Sequence, residues 1–302
     1  MGSPSTTYLN HEERTAAEPR EHGMHSVILD GIDQVNSNIR LLKLRRSKGE
    51  KLLEFLPGQW LDVHVPGIPQ AGGFTITSTP HDLKRKNYLE LAIQNSPTNP
   101  PAAWLWQTAS KILESELMIR VGGSFVWPPP GINVTSIERL VFVAGGVGIN
   151  PLISILSHLH QNKNECPPRL EFLYGARKGP SGNISSILFL DRLRSIFGPG
   201  FATFRNYSLF VTNAVLPLNE TDDKRLEAIE SFKADMDYVG EGNIERRRFE
   251  EQDLIDAIGP VEDRGSVVVY VCGPPPMTDW AVSVLKGAEG MQSERVLCEK
   301  WW

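Results

Sequence analysis

Cysteine is scarce: Cys166, Cys272 and Cys298 are the only three in 302 residues, and they are scattered. Such spacing provides neither a disulfide framework nor the grouped ligands of a zinc site or an iron–sulfur cluster, so no metal is expected. No apolar run approaches the roughly 20 residues that cross a bilayer, so no membrane span is expected. The first two dozen residues contain no apolar stretch of the kind that forms a secretory signal. With Glu12, Glu13, Glu18 and Glu21 they also make a poor mitochondrial presequence. The expectation is an intracellular protein, cytoplasmic or mitochondrial and not secreted. Positive charge is not in excess either. A net charge of -5 and a pI near 5.9 give no footing for nucleic acid or an anionic membrane. Histidine does not cluster: His158 and His160 are two apart on a helix-period run, so they face different sides. No nucleophile elbow or kinase-type loop is present.

What remains is a composition of 40% hydrophobic and 22% charged residues, ordinary for a folded chain of two domains. Residues 1–25 are polar and expected to be a disordered tail. Residues 26–130 are rich in short, half-alternating runs, at 39–44, 60–65, 74–77, 88–93 and 117–121, separated by Gly, Pro, Asn or Lys. That pattern predicts an antiparallel barrel, with one helical insert at 102–109. Pro128, Pro129, Pro130 and Gly131 make a stiff break. Residues 136–302 then alternate: strands are expected at 140–144, 170–174, 204–211 and 267–271, and helices at 152–160, 187–196 and 250–258. A parallel sheet follows, with its ligand crevice beyond the carboxyl ends of the strands. Residues 219–233 read as a solvated loop or loose helix.

Residues 140–156 carry the strongest signal, LVFVAGGVGINPLISIL. A buried strand runs into Gly145, Gly146 and Gly148, and Pro151 opens a helix-period run. Glycines let an extended ligand lie on the main chain, and the unpaired amides and positive dipole end of the helix suit a diphosphate. An ordinary tight strand-to-helix connection has the same appearance. The dinucleotide fingerprint GxGxxG would put glycine where Pro151 stands, and the next strand ends in Arg177 and Lys178 rather than an acid. A second signal, VYVCGPPPM at 269–277, places Cys272, Gly273, Pro274 and Pro275 in a rigid turn at the same sheet edge. Cys272 there either walls a flat ring or is simply buried.

In order, PGQWLDV, GGFTITSTP, PPAAWLW, RVGGSF, AGGVGINPLISIL, CGPPPMTD and EKWW make residues 26–302 similar to the ferredoxin-NADP reductase superfamily, most closely to a eukaryotic branch of it. The resemblance implies a β-barrel plus α/β architecture. A flavin-binding-type antiparallel barrel is followed by a parallel-sheet NAD(P)-binding domain. It implies an NAD(P)H-dependent flavin oxidoreductase using NAD or NADP and FAD, with electrons leaving to an unidentified acceptor. On the barrel, Phe74 would pack on the isoalloxazine and Thr75 would bond its hydride-accepting nitrogen, with Ile76, Gly122 and Gly123 alongside. Trp302 would cover the ring. Gly145, Gly146, Val147, Gly148, Ile149, Asn150 and Pro151 would receive the diphosphate of the dinucleotide, and Cys272, Gly273, Pro274, Pro275 and Met277 would line its nicotinamide. Thr75, Cys272 and Trp302 are thus the expected residues at the reacting rings.

Two positions depart from the superfamily pattern. Gly72 stands where its flavin-binding arginine would be, and Ala102 where its phosphate-binding serine would be, while Pro100 and Pro101 remove amide donors. Losing a charge-assisted bond worth about 1.5–3 kcal/mol and a neutral one worth about 1 lowers flavin affinity on the order of a hundredfold or more. The alternative reading is therefore an NAD(P)-binding interaction or regulatory protein with a degenerate flavin site.

Overall fold

The computed structural model describes residues 10–179, 182–198, 205–213 and 222–300. Its contacts divide the chain into two units, Met1–Gln34 with Asn38–Val126, and Val35–Ser37 with Trp127–Trp302.

The first unit holds α1 (His11–Arg14), β1 (His25–Asn36), β2 (Ile39–Arg46), β3 (Trp60–His64), β4 (Gly72–Thr75), α2 (Pro80–Lys86), β5 (Tyr88–Gln94), α3 (Pro100–Leu105), α4 (Ala109–Ile112) and β6 (Glu116–Gly122). Its strands lie in the order β4-β3-β6-β1-β2-β5. A bridge between Ile76 and Leu91 brings the two ends of the sheet together, so the sheet closes as a barrel. Alternation fills the interior: Leu42 and Leu44, Leu61 and Val63, Leu89, Leu91 and Ile93, and Leu117, Ile119 and Val121 all belong to one core. The helical insert begins at Pro100, two residues before its expected start, and ends at Leu105. Asn99 caps it, accepting from the Ala102 amide.

Residues 10–24, expected to be disordered, have fixed structure. Asn10 and Glu13 form a reciprocal cap on α1, and His11 is buried. Gly123 N donates to Pro19 O and Glu21 N to Val121 O, so the segment runs along β6. Composition could not show this, because the partners of Glu18 and Arg20 include residues far along the chain. Arg20 Nε donates to Asp62 Oδ2 at 2.9 Å, and Glu18 accepts from both the amide and hydroxyl of Ser124.

The second unit holds β7 (Arg139–Gly145), α5 (Ile149–Gln161), β8 (Arg169–Ala176), α6 (Leu190–Phe197), β9 (Arg205–Val211), α7 (Asp222–Val239), β10 (Asn243–Glu245), α8 (Glu251–Ile258), β11 (Val267–Gly273), α9 (Pro275–Gly287) and β12 (Val296–Lys300). The sheet order is β10-β9-β8-β7-β11-β12, and its ladders are parallel. One face of β7 and β11, with Val141, Val143, Val267, Val269 and Val271, packs with Leu254 and Ile258 of α8 and Ala281 and Leu285 of α9. Helix α5 is buried nearly all round, and so starts at Ile149 rather than at Pro151, which becomes its third residue. Residues 222–239 are helical, which settles the expected solvated loop or loose helix at 219–233 as helix from 222 on. Among the described residues no helix is long and apolar enough to cross a membrane, and none group as His, Cys, Asp or Glu ligands for a metal ion.

Candidate functional site

From β7 the chain steps outward through β8, β9 and β10, then returns on the opposite side of β7 to lay down β11 and β12. The topological switch point therefore falls between β7 and β11, where the loops leaving the strands part to opposite faces and open a crevice. The two turns at that point are those the sequence singles out.

They touch backbone to backbone. A Cβ on Gly148 would overlap the Cys272 carbonyl oxygen and lie 2.5 Å from Gly273 Cα. One on Gly273 would lie 3.1 Å from Gly145 N and Cα. A Cβ on Gly145 would overlap Met277 Sδ and come within 3.0 Å of Pro274 Cδ. Gly145, Gly148 and Gly273 are thus glycine because the turns close on each other. Gly146 differs: its φ is +54° and nothing lies within 4 Å of where a Cβ would be. It is the one glycine of the β7 turn that faces open space.

The helices that start here are left open at their positive ends. Neither α5, with Gly148 as N-cap, nor α9, with Pro274, has a side-chain cap or an acidic residue in its first turn. Helices α2, α3 and α8 elsewhere are capped by Thr79, Asn99 and the Glu250–Asp253 pair. A 13-residue helix with no side-chain cap, starting beyond an open glycine, turns the positive end of its dipole toward the place of an anion. The α9 turn is of another kind. Pro275 and Pro276 supply no amides, and Thr278 Oγ1 donates to Gly273 O at 3.1 Å, which fixes the strand exit. Met277 lies half-buried across Gly145 and Gly273, a polarisable wall suited to a flat ring. The Cys272 side chain is fully buried.

Val147, Ile149, Asn150 and Pro151 continue the β7 turn into α5, and the last three are buried. At the end of β8, Arg177 is exposed, and Lys178 reaches back to Asp235, which Arg246 also meets at 3.4 Å. The Tyr207 hydroxyl donates to Val239 O beneath β9, and burial pushes its pKa up to about 12, so this group holds its proton and is structural.

The barrel positions expected around a flavin do not form an open seat. Phe74 points into the core, and its ring folds over Gly72: a Cβ there would lie 2.5 Å from Phe74 Cε2 and 2.7 Å from Pro101 Cβ. Thr75 is 3% exposed and Ile76 fully buried. Trp60 lies across Gly122 and Gly123, the latter with φ +101°; a Cβ on either would meet its ring at about 2.6 Å or closer. Edge-on to Trp60 sits the His11 ring, 4.7 Å away, which also fills the space beside Gly73. The residues present therefore do not fit a flavin held as the superfamily resemblance implies. Trp302 lies outside the described residues. What the sequence could not show is Trp60, His11 and Asp62 as one buried cluster on the barrel's outer face. The only available hint was Asp62, a charge inside the otherwise apolar run WLDV.

No family model matches the chain. It is 32% identical over 305 residues to the Xenopus laevis oxidoreductase NAD-binding domain-containing protein 1, covering 99% of this chain and 86% of that one. It is 30% identical to the Danio rerio protein of the same name, covering 97% of each. Among solved structures, a ferredoxin NADP+ reductase from Neisseria gonorrhoeae with bound FAD and NADP superposes with a TM-score of 0.59. The identity is 14%, covering 93% of this chain and all of that one, so the shared fold is the ferredoxin reductase-like pair of barrel and parallel sheet. By sequence similarity over nearly its whole length, the chain belongs to the oxidoreductase NAD-binding domain-containing protein 1 family.

Proposed function

We propose that the protein binds NADH or NADPH at the switch point of its parallel sheet and acts as a nicotinamide-dependent oxidoreductase. The diphosphate rests on the backbone from Gly145 to Gly148 and on the opening turn of α5, formed by Ile149, Asn150 and Pro151. The nicotinamide lies against Gly273, Pro274, Pro275 and Met277, with Cys272 behind. One observation carries the reading: two turns of different chemistry, one glycine-rich and open at Gly146, one proline-rich and rigid, are pressed together at the place where a doubly wound sheet takes its ligand. When bound, the reduced dinucleotide would supply the hydride to an oxidised acceptor brought from solution and leave as NAD(P)+; the chain's part is to grip, orient and shield the ring.

A second reading shares the nucleotide site but not the turnover. In it the protein is an NAD(P)-binding interaction or regulatory protein. The covered barrel positions at Phe74, Thr75, Gly122 and Gly123 favour it, since they leave no resident ring to accept the hydride. Steady-state NADH oxidation with added artificial acceptors separates the two. Turnover supports the first reading, and binding without turnover supports the second.

The site itself is tested by Gly146→Val. A branched residue at φ +54° costs about 1–2 kcal/mol in backbone strain, a shift of a few degrees in melting temperature. Its side chain projects into the space assigned to the diphosphate, so NADH affinity by calorimetric titration should fall on the order of a hundredfold. An unchanged affinity would remove the diphosphate from this turn.

A further inference from the structure

We infer that the barrel of this protein is closed to flavin, because the chain's own side chains and caps occupy both the diphosphate position and the ring position.

The diphosphate end has lost every donor. At the start of α3, Pro100 and Pro101 have no amide hydrogen, the Ala102 amide is taken by Asn99 Oδ1 at 3.2 Å, and the Ala103 amide by Asn99 O at 2.8 Å. Ala102 has no hydroxyl and is buried. Gly72 brings no charge, and the space beside it is taken by the Phe74 ring and Pro101, so no longer side chain fits without moving both. A flavin diphosphate placed here would be stripped of water with nothing to replace it. The basic residues of α2 are paired or face solvent. Lys86 pairs with Asp82 at 2.8 Å, and Lys84 and Arg85 stand exposed on α2.

The ring end is closed by packing. Phe74 faces the core, Thr75 and Ile76 are buried, and the glycines at 122 and 123 lie under Trp60. These are contacts made, not space left over. Opening them would expose an indole and a phenyl ring to water, giving up their burial. Lost donors and lost space act in the same direction, and both lie within the first unit. The closure of the barrel therefore does not depend on what the second unit binds.

The full-length protein, purified and then incubated with excess FAD or FMN, decides the matter. Flavin fluorescence should remain that of the free cofactor up to roughly 100 μM protein, and desalted protein should be colourless. Stoichiometric yellow protein, or flavin binding with a dissociation constant in the low micromolar range, would overturn the inference. NADH titration of the same sample keeps the two proposals apart: failure to bind NADH counts against the nucleotide site and leaves the closed barrel standing.

Discussion

Gly148→Val should melt the second unit well below the parent protein, with a drop of roughly 6–12 °C in its thermal transition, while the Gly146→Val transition moves by only a few degrees. The two glycines are two residues apart in one turn, and the difference comes from what each faces. A Cβ at 146 meets nothing within 4 Å. A Cβ at 148 meets the Cys272 carbonyl and Gly273 Cα, backbone atoms of β11 that cannot rotate aside as a side chain would. Relief requires β7 and β11 to separate at their carboxyl ends. Those central strands are paired from Val267 with Arg139 through Cys272 with Ala144 and carry the unit's core. Overpacking against fixed backbone costs about 3 kcal/mol, the upper end of what such insertions produce. Loss of NADH binding is expected in both variants, but with a melting temperature close to the parent's only for Gly146→Val. Thermal circular dichroism with NADH titration checks the pair. A parent-like melt for Gly148→Val would mean that the turns are not in register as described.

The second unit was largely legible in the sequence, because buried parallel strands read as unbroken apolar runs and helices as 3.6-period ones. Strands 140–144, 170–174 and 267–271 each fall inside β7, β8 and β11, and the glycine turn and the proline turn do meet at one edge. What the sequence could not distinguish was why each glycine is there, since a ligand and a neighbouring backbone impose the same demand for a missing Cβ. The barrel was legible as short alternating strands. Its outer face was not, because the segment that covers it looks solvated. Glu12, Glu18 and Arg20 have the composition of a loose tail, and the distant Asp62, Arg120 and Ser124 help to give them fixed places. Helix α2 was missed for a related reason: seven residues leave little periodicity to read, and its one signal is the Thr79–Asp82 capping box around Pro80.

That buried polar cluster yields the other large effect. Asp62 is fully buried, and His11 Nε2, Arg20 Nε and Arg120 Nη2 meet its carboxylate at 3.0, 2.9 and 2.6 Å. Burial alone would raise its pKa, but the hydrogen bonds from His11, Arg120 and Arg20 outweigh that and hold the carboxyl well below the usual carboxylate range. Asp62→Ala leaves Arg20 without its buried anion and Arg120 with only the longer 3.7 Å pairing to Glu12, and about 3 kcal/mol of stability should go with it. Because the folded pKa lies below the unfolded value of about 3.9, the stabilisation is complete near neutral pH and declines as pH falls below that value. The gap between parent and Asp62→Ala in urea unfolding should therefore be widest at about pH 6–7 and narrow toward about pH 3. Asp62→Asn, which keeps the volume and one acceptor, should fall between them. The same substitution frees the segment that the cluster anchors, so trypsin should cut after Arg14 and Arg20 faster in Asp62→Ala than in the parent under native conditions. If cleavage is unchanged and the pH profiles run parallel, then His11 and Arg20 only rest on the barrel, and the segment is held by its backbone pairing with β6 instead.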